Sequence, residues 1–532
     1  MILSCVVKGE GGERMNREEE LYQIFKEELR QEGKIQYSVA NELFSLINDR
    51  DQITKRKYAD EIYGFLSDNI ILDVYLLSFC VRIDTDIKYI KRMQTLVMLS
   101  EELNWKQKYF IYQQIGSLIF LNPTLNEKDV VVAQWKLIEQ IRDLCKKELT
   151  FELKPIPKDE RNKDLVIVLT DQFLAIQHGP TKTALDRCYV IKKRMHKNAF
   201  LINTADALPL VGEVPFFMIQ VGNHIPDYME KTEVEWKGEK FAYYQCEEGM
   251  PDLEEIEQVL HAIIRLRPSM IVAIGGTSLV MAFANELVST VSIGLTQSGV
   301  VTTLTDYQVV DYNMLDYVKP IVEQSGRTMD HIIPGKFTFS LKPQTEHITR
   351  HDIGISENAF VMAIVGGRLD TEITDEYLMM LESTMNERMM VVIIGVCDTY
   401  KDMIGRHPLL ENHVINLGFC NDILSRLEIC DLYINPIRSG GGTSVVEAMS
   451  KGKPAITVNY GDVAGIVGER FCCNTLDDMA QLIRRYESDK EFYREQSEYA
   501  KAVADEYMDS EREFERIMSE YAKRNNLSID VD

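Results

Sequence analysis

The sequence predicts an α/β protein with two parallel sheets in succession behind an all-helical stretch. Three observations predict this. Residues from about 16 to 150 carry apolar side chains at threes and fours, with Pro123 as the one interruption. Beyond them, short β-branched runs alternate with helical segments, as βαβ units do. Those runs also fall into two sets, separated by a stretch of different character at 320–358.

Composition sets the frame. The chain has 532 residues, 45% hydrophobic and 27% charged, with 59 basic against 83 acidic side chains and a formal net charge of −24. Single cores stop growing beyond about 250 to 300 residues, so two to four units are expected. The strong negative charge disfavours binding to a phosphate backbone, and no nucleic-acid partner is expected. Ten scattered cysteines without any C-x-x-C read as reduced thiols in a cytoplasmic protein. No apolar run reaches the roughly 18 residues that a membrane span requires. The opening MILSCVV followed by KGEGGER fits no secretory signal, and Met15 is an alternative start.

In chain order, 1–150 is an all-helical N-terminal domain, exemplified by Leu21, Ile24, Phe25 and Leu29 on one face. The stretch 151–164, with two prolines and dense charge, is a linker. DLVIVLT (164–170), AFLINT (199–204), SMIVAIGG (269–276) and VSTVSIGL (288–295) are strands of a first sheet domain, 164–320. AFVMAIVGG (359–367), MMVVIIGV (389–396), HVINLG (413–418), DLYINP (431–436) and PAITVN (454–459) form a second, 359–475. The tail, 476–532, reads as charged helices, and an acidic face such as 508–519 as solvated surface.

Open parallel sheets bind ligands beyond the carboxyl ends of their strands. The most informative strand end is DLYINPIRSGGGTSVVEAMSKGKPAIT. Arg438 precedes Gly440, Gly441 and Gly442, and Thr443 and Ser444 follow as caps of a helix carrying Glu447. Three glycines let backbone N–H groups close on a phosphate, Arg438 adds charge, and Glu447 is placed to accept hydroxyl hydrogens, most naturally from a ribose.

At these residues the chain resembles the GT-B glycosyltransferases, especially the retaining family whose C-terminal domain carries Glu, seven residues, Glu. Glu447 matches the second Glu, Gly440 and Gly442 match the motif glycines, and Ser439 stands where the first Glu would be. AIVGGRLDTE resembles the first strand and loop of the donor domain, so Gly367 and Arg368 would face the diphosphate; Ile373 stands in place of the usual Lys. NLGFCND resembles the loop that contacts the base, which implies roles for Phe419 and Cys420. In the first sheet, DQFLAIQHGPTKT resembles the glycine loop facing donor and acceptor, with His178, Gly179, Thr181 and Lys182. His178 would serve as a general base or hydrogen-bond the sugar. Gly275, Gly276, Thr277, Ser278, Gln297 and Ser298 would shape the cleft.

The resemblance implies two Rossmann-like domains facing a cleft, and a metal-independent transferase using a nucleotide sugar, UDP-linked, as substrate with no resident cofactor. His178, Arg368 and Arg438 would carry the chemistry. No Asp-x-Asp sits at a plausible strand end; the Asp84-Thr85-Asp86 match lies in the helical region. Cytoplasmic protein glycosyltransferases also place a helical module before such a core, which favours a protein acceptor. The alternatives are a non-catalytic GT-B subunit partnering an active homologue in a hetero-oligomer, or a transferase acting on a polysaccharide or glycolipid.

Overall fold

A computed structural model describes residues 17–30, 37–67, 69–176, 178–207, 214–217, 225–247, 249–295, 302 and 304–527. The MILSCVV opening, Met15, Gln297 and Ser298 lie outside the described residues. The chain divides into two units: Met1–Gln107 with Gly212–Ile219, and Lys108–Val211 with Gln220–Asp532.

The first unit holds the helices Arg17–Arg30, Tyr37–Asn48, Gln52–Tyr63, Ile70–Asp84 and Ile87–Leu99. Their starts follow local chemistry: the Asp51 carboxylate accepts from the N–H groups of Ile53 and Thr54, and Asn69 and Asp86 cap the next two helices in the same way. Their apolar faces meet around Phe79, which packs 5.4 Å from Phe25 and 4.6 Å from Phe217 between ring centroids. The Phe217 N–H donates to Ser78 Oγ at 2.7 Å, so a short segment distant in sequence closes this core. Asp84 is paired with Arg56 at 3.3 Å and Asp86 is a helix cap, which gives the Asp-x-Asp match a structural role.

The second unit contains two sheets. The first comprises β1 (Asn162–Thr170), β2 (Asn198–Asn203), β3 (Glu233–Trp236), β4 (Glu239–Gln245), β5 (Pro268–Ile274), β6 (Thr290–Ile293), β7 (Tyr307–Asp311) and β8 (Ile332–Gly335). Its order is β3-β4-β2-β1-β5-β6-β7-β8, parallel throughout except for the β3–β4 hairpin. The second comprises β9 (Phe360–Gly366), β10 (Met389–Gly395), β11 (Val414–Gly418), β12 (Leu432–Ile434), β13 (Ala455–Val458) and β14 (Cys472–Cys473). Its order is β11-β10-β9-β12-β13-β14, all parallel. Chain direction across the sheet therefore reverses between β9 and β12 in the second sheet, and between β1 and β5 in the first. These two gaps are where a doubly wound sheet opens a crevice.

Central strands are buried on both faces: β5 is buried at every position and β9 at five of seven. That burial explains their near-continuous Val, Ile, Met and Ala content. The helices Trp105–Leu121, from Lys108 onward, and Lys128–Lys146 belong to this second unit.

The tail corrects an expectation from sequence. In the helix Ser510–Arg524, Phe514, Ile517, Met518 and Tyr521 are buried in the core of the first sheet, so only the outer face of 508–519 is solvated. Ser510 Oγ donates to Asp186 at 2.8 Å and Arg187 donates to the Ser510 carbonyl at 3.3 Å, which fixes this helix against Gly179–Lys193. The preceding helix, Lys490–Met508, contributes Ala500, Ala504 and Tyr507 to the core of the second sheet. The chain thus crosses from one sheet back to the other at its end.

Candidate functional site

At the β9/β12 gap, the loop after β12 turns through Asn435–Gly441 into the helix Gly442–Ser450. The start of this helix differs from the sequence expectation. Gly441 is the N-cap, at φ +109, and no side chain caps this end; Thr443 and Ser444 lie inside the first turn. Ser444 Oγ instead donates to the Gly441 carbonyl at 3.0 Å and lies 2.9 Å from the Tyr433 hydroxyl. Helix geometry leaves the N–H groups of Gly442, Thr443 and Ser444 without intrahelical acceptors, at the positive end of the helix dipole.

Arg438 is spent inside the protein rather than on this corner. Its guanidinium donates to Asn435 Oδ1 at 2.9 Å, Glu372 Oε2 at 2.8 Å, the Val365 carbonyl at 2.7 Å and the Tyr433 hydroxyl at 2.9 Å. Its side chain is 5% exposed. A Cβ at Gly366 would stand 2.5 Å from Arg438 Nη1, and one at Gly441 2.7 Å from Nη2. Both glycines are therefore needed so that the buried arginine can tie the end of β9 to the loop after β12.

Arg368 is the open cation. Its side chain is 48% exposed, it pairs with Glu372 Oε1 at 3.1 Å, and a Cβ at Gly440 would lie 3.9 Å from its Nη2. Glu372 bridges the two arginines through its two oxygens and holds Arg368 beside Gly440. Gly367 is exposed, with nothing within 4 Å of where a Cβ would be. Ile373 is buried in the core.

One and a half turns into the helix, Glu447 is 7% exposed, and no hydrogen bond to its carboxylate is formed among the described residues. Burial raises it to about 7, with Lys182 and Lys342 pulling it back and Asp422 pushing it up. Lys342 is lowered by burial and by Lys182, so two cations lie within electrostatic reach of each other and of this carboxylate. Cys420 lies within electrostatic reach of Glu447, and Phe419, 64% exposed, stands next to it beyond β11. Lys342 sits in the irregular stretch leading into the second sheet, which Asp422 pins by accepting from the Thr345 and Glu346 N–H groups at 2.5 and 2.7 Å.

From the first sheet, the loop after β1 delivers His178 as the N-cap of Gly179–Lys193. Its Nδ1 is buried without a hydrogen-bond partner among the described residues. Burial, then Arg368, then Lys182 lower it to about 4, so the ring is neutral at pH 7. Arg368 belongs to the second sheet, so His178 and Lys182 face that sheet's corner across the crevice. Gly179 has open space at its Cβ position. Thr181 is fully buried and clips the loop: its Oγ1 accepts from Leu174 N–H at 2.8 Å and donates to the Leu174 carbonyl at 3.1 Å.

The other switch point is already filled. Asp171, at the end of β1, accepts from the N–H groups of Gly276 and Thr277 at 3.1 and 3.3 Å; burial and Asp206 raise it to about 6. Asp206 accepts from Ser278 Oγ and from the Leu279 and Val280 N–H groups, occupying the start of Leu279–Leu287. The Gly275–Ser278 segment is thus bound to the protein's own carboxylates. Among the described residues no group of three or more His, Cys, Asp or Glu is arranged to hold a metal ion.

Sequence reading missed Glu372, Lys342, Asp171 and Phe120, whose carbonyl accepts from Ser439 Oγ at 2.5 Å. Only Glu372 left a local signal, four residues after Arg368 on a helical turn. The others become neighbours of the site through the fold.

Residues 351–503 match the family described as Glycosyl transferases group 1. No curated protein matches by sequence. Among solved structures, an O-GlcNAc transferase mutant from Thermobaculum terrenum is similar at 12% identity, with TM-score 0.53 over 96% of this chain and 98% of that one. A glycosyltransferase from Rickettsia africae is similar at 11% identity, with TM-score 0.52 over 69% of this chain and all of the other. Two parallel sheets opposed across a crevice, with a helical N-terminal region, thus make a GT-B fold, and its second sheet carries the glycosyl transferases group 1 pattern.

Proposed function

We propose that the protein is a cytoplasmic glycosyltransferase that moves a hexose or N-acetylhexosamine from a UDP-linked sugar to a protein acceptor. One observation carries this reading: the helix start at Gly442 has no side-chain cap, opens at the β9/β12 switch point, and has the half-exposed Arg368 beside it. Such a corner suits a diphosphate. Transfer breaks the bond between the anomeric carbon and a diphosphate oxygen, and the electron pair leaves with the diphosphate. The acceptor nucleophile bonds the same carbon and gives up its proton. The main demand is therefore stabilisation of charge on the leaving group.

The N–H groups at Gly442–Ser444, with Gly440 and Gly367 allowing close approach, and Arg368 would meet that demand without a metal. Arg438 holds the corner in shape. Lys182 and Lys342 compensate for Ile373. The Glu447 carboxylate takes the ribose hydroxyls, and the Phe419–Cys420 loop takes the base. His178, neutral at pH 7, has a free Nδ1 to accept a proton from the acceptor or a hydrogen bond from the sugar. The likeness of almost the whole chain to an O-GlcNAc transferase supports a protein acceptor. Among the described residues all nine cysteines are free, which accords with a reducing compartment, and no helix there is long and apolar enough to cross a membrane.

A second reading, a donor-binding subunit without turnover, is favoured by Ser439, whose hydroxyl is tied to the Phe120 carbonyl, and by Ile373. Incubation of the protein with UDP-sugars and co-expressed candidate proteins separates the two. Transfer predicts UDP release that depends on the acceptor, together with a mass gain of one sugar on it, both reduced by Glu447→Gln. Donor binding without either product would leave the second reading standing.

A further inference from the structure

We infer that Phe120, at the carboxyl end of the Trp105–Leu121 helix, forms the wall against which the transferred sugar rests and so selects among sugars; this rests on the donor reading above. The Ser439 hydroxyl, one residue before the glycine corner, donates to the Phe120 carbonyl at 2.5 Å and lies 3.0 Å from the Tyr460 hydroxyl. The Phe120 ring lies 5.1 Å from the Arg368 guanidinium carbon, centroid to Cζ. Phe120 therefore touches both sides of the corner where the diphosphate is assigned, and the group hanging from that diphosphate meets Phe120 next.

The helix is held firmly enough to serve as a wall. Toward its other end, the Tyr109 hydroxyl bonds to the carbonyls of Asp206 and Thr277 at 2.9 and 3.0 Å, and Gln113 Nε2 donates to the Thr277 carbonyl at 3.0 Å. It thus spans from the loops of the first sheet to the corner of the second. Phe120 itself is only partly buried, so part of the ring remains available to a ligand.

The chemistry fits a sugar in two ways. An aromatic ring offers an apolar face to the C–H side of a pyranose. The last carbonyls of a helix carry the negative end of its dipole, which favours a sugar becoming oxocarbenium-like. The Phe120 carbonyl also keeps a second lone pair for a sugar hydroxyl, since Ser439 uses one. Ser439 occupies the position at which the resembling family carries its first Glu, and here a helix end lies against that position.

Titration calorimetry with UDP, UDP-glucose, UDP-galactose and UDP-N-acetylglucosamine tests this on the full chain, with Phe120→Ala and Phe120→Leu beside the unaltered protein. Phe120→Ala should bind UDP within about twofold of the unaltered protein and lose roughly tenfold on the preferred UDP-sugar, narrowing its preference. Phe120→Leu should fall between the two, and retained UDP affinity reports an intact fold. Equal losses on UDP and UDP-sugar, or a preference among the sugars as wide as that of the unaltered protein, would overturn the inference and leave the donor reading in place. An unaltered protein that binds none of the four ligands would remove both.

Discussion

The two sheets reach their switch points by the same topology and treat them in opposite ways. Between β1 and β5 the N–H groups beyond the strand end are consumed from within: Asp171 binds those of Gly276 and Thr277, while Asp206 and Ser278 cap Leu279–Leu287. Between β9 and β12 the corresponding helix starts at a glycine with no side-chain cap, beside a half-exposed arginine. A parallel sheet alone therefore does not make an anion site. What decides it is whether the protein has already supplied its own anion. In the first sheet two buried carboxylates do so; in the second no side chain caps the helix start.

The two arginines at the open corner divide its work, and substitution should separate them. Arg438→Ala removes the internal clamp and leaves Glu372 with one partner, which should cost about 3 kcal/mol of stability, read as a loss in urea unfolding. Arg368→Ala, at a half-exposed position, should change stability by less than about 0.5 kcal/mol. It should nevertheless weaken UDP binding roughly tenfold, the loss of one charge-assisted contact to the diphosphate. The reverse pattern, with Arg438 controlling affinity and Arg368 stability, would show that the buried guanidinium and not the open one meets the ligand.

The smallest expected effect is on pH dependence. Glu447 is raised to about 7, so the carboxylate proposed above to take the ribose hydroxyls is half protonated near neutrality. Affinity for a UDP-sugar should rise with pH through about 7 and level off above it, and Glu447→Gln should flatten the profile. For the unliganded protein the sign is opposite. A carboxyl group whose folded value exceeds its unfolded one makes stability fall as pH rises from its ordinary range through about 7.

Much of the scaffold was legible because central parallel strands are buried on both faces and announce themselves as unbroken apolar runs. DLVIVLT, AFLINT, SMIVAIGG and AFVMAIVGG became β1, β2, β5 and β9. The β3–β4 hairpin passed unnoticed because it is an edge with alternating burial, which disperses its apolar residues. At the site, the glycine corner and Glu447 could be picked out from local chemistry, and Arg368 and His178 only through the resemblance of their loops. The burial of Arg438 could not, because its partners Val365 and Glu372 lie more than sixty residues away. The helix cap was misassigned for a related reason: Ser444 is a good capping residue, yet Tyr433 and the Gly441 carbonyl engage its hydroxyl inside the first turn.

A crystal structure of the protein soaked with UDP addresses the open corner most directly. Diphosphate oxygens should lie about 2.7–3.2 Å from the N–H groups of the first turn at Gly442–Ser444 and from the Arg368 guanidinium, with Arg438 unmoved. UDP bound elsewhere, with that turn still facing solvent, would contradict the assignment.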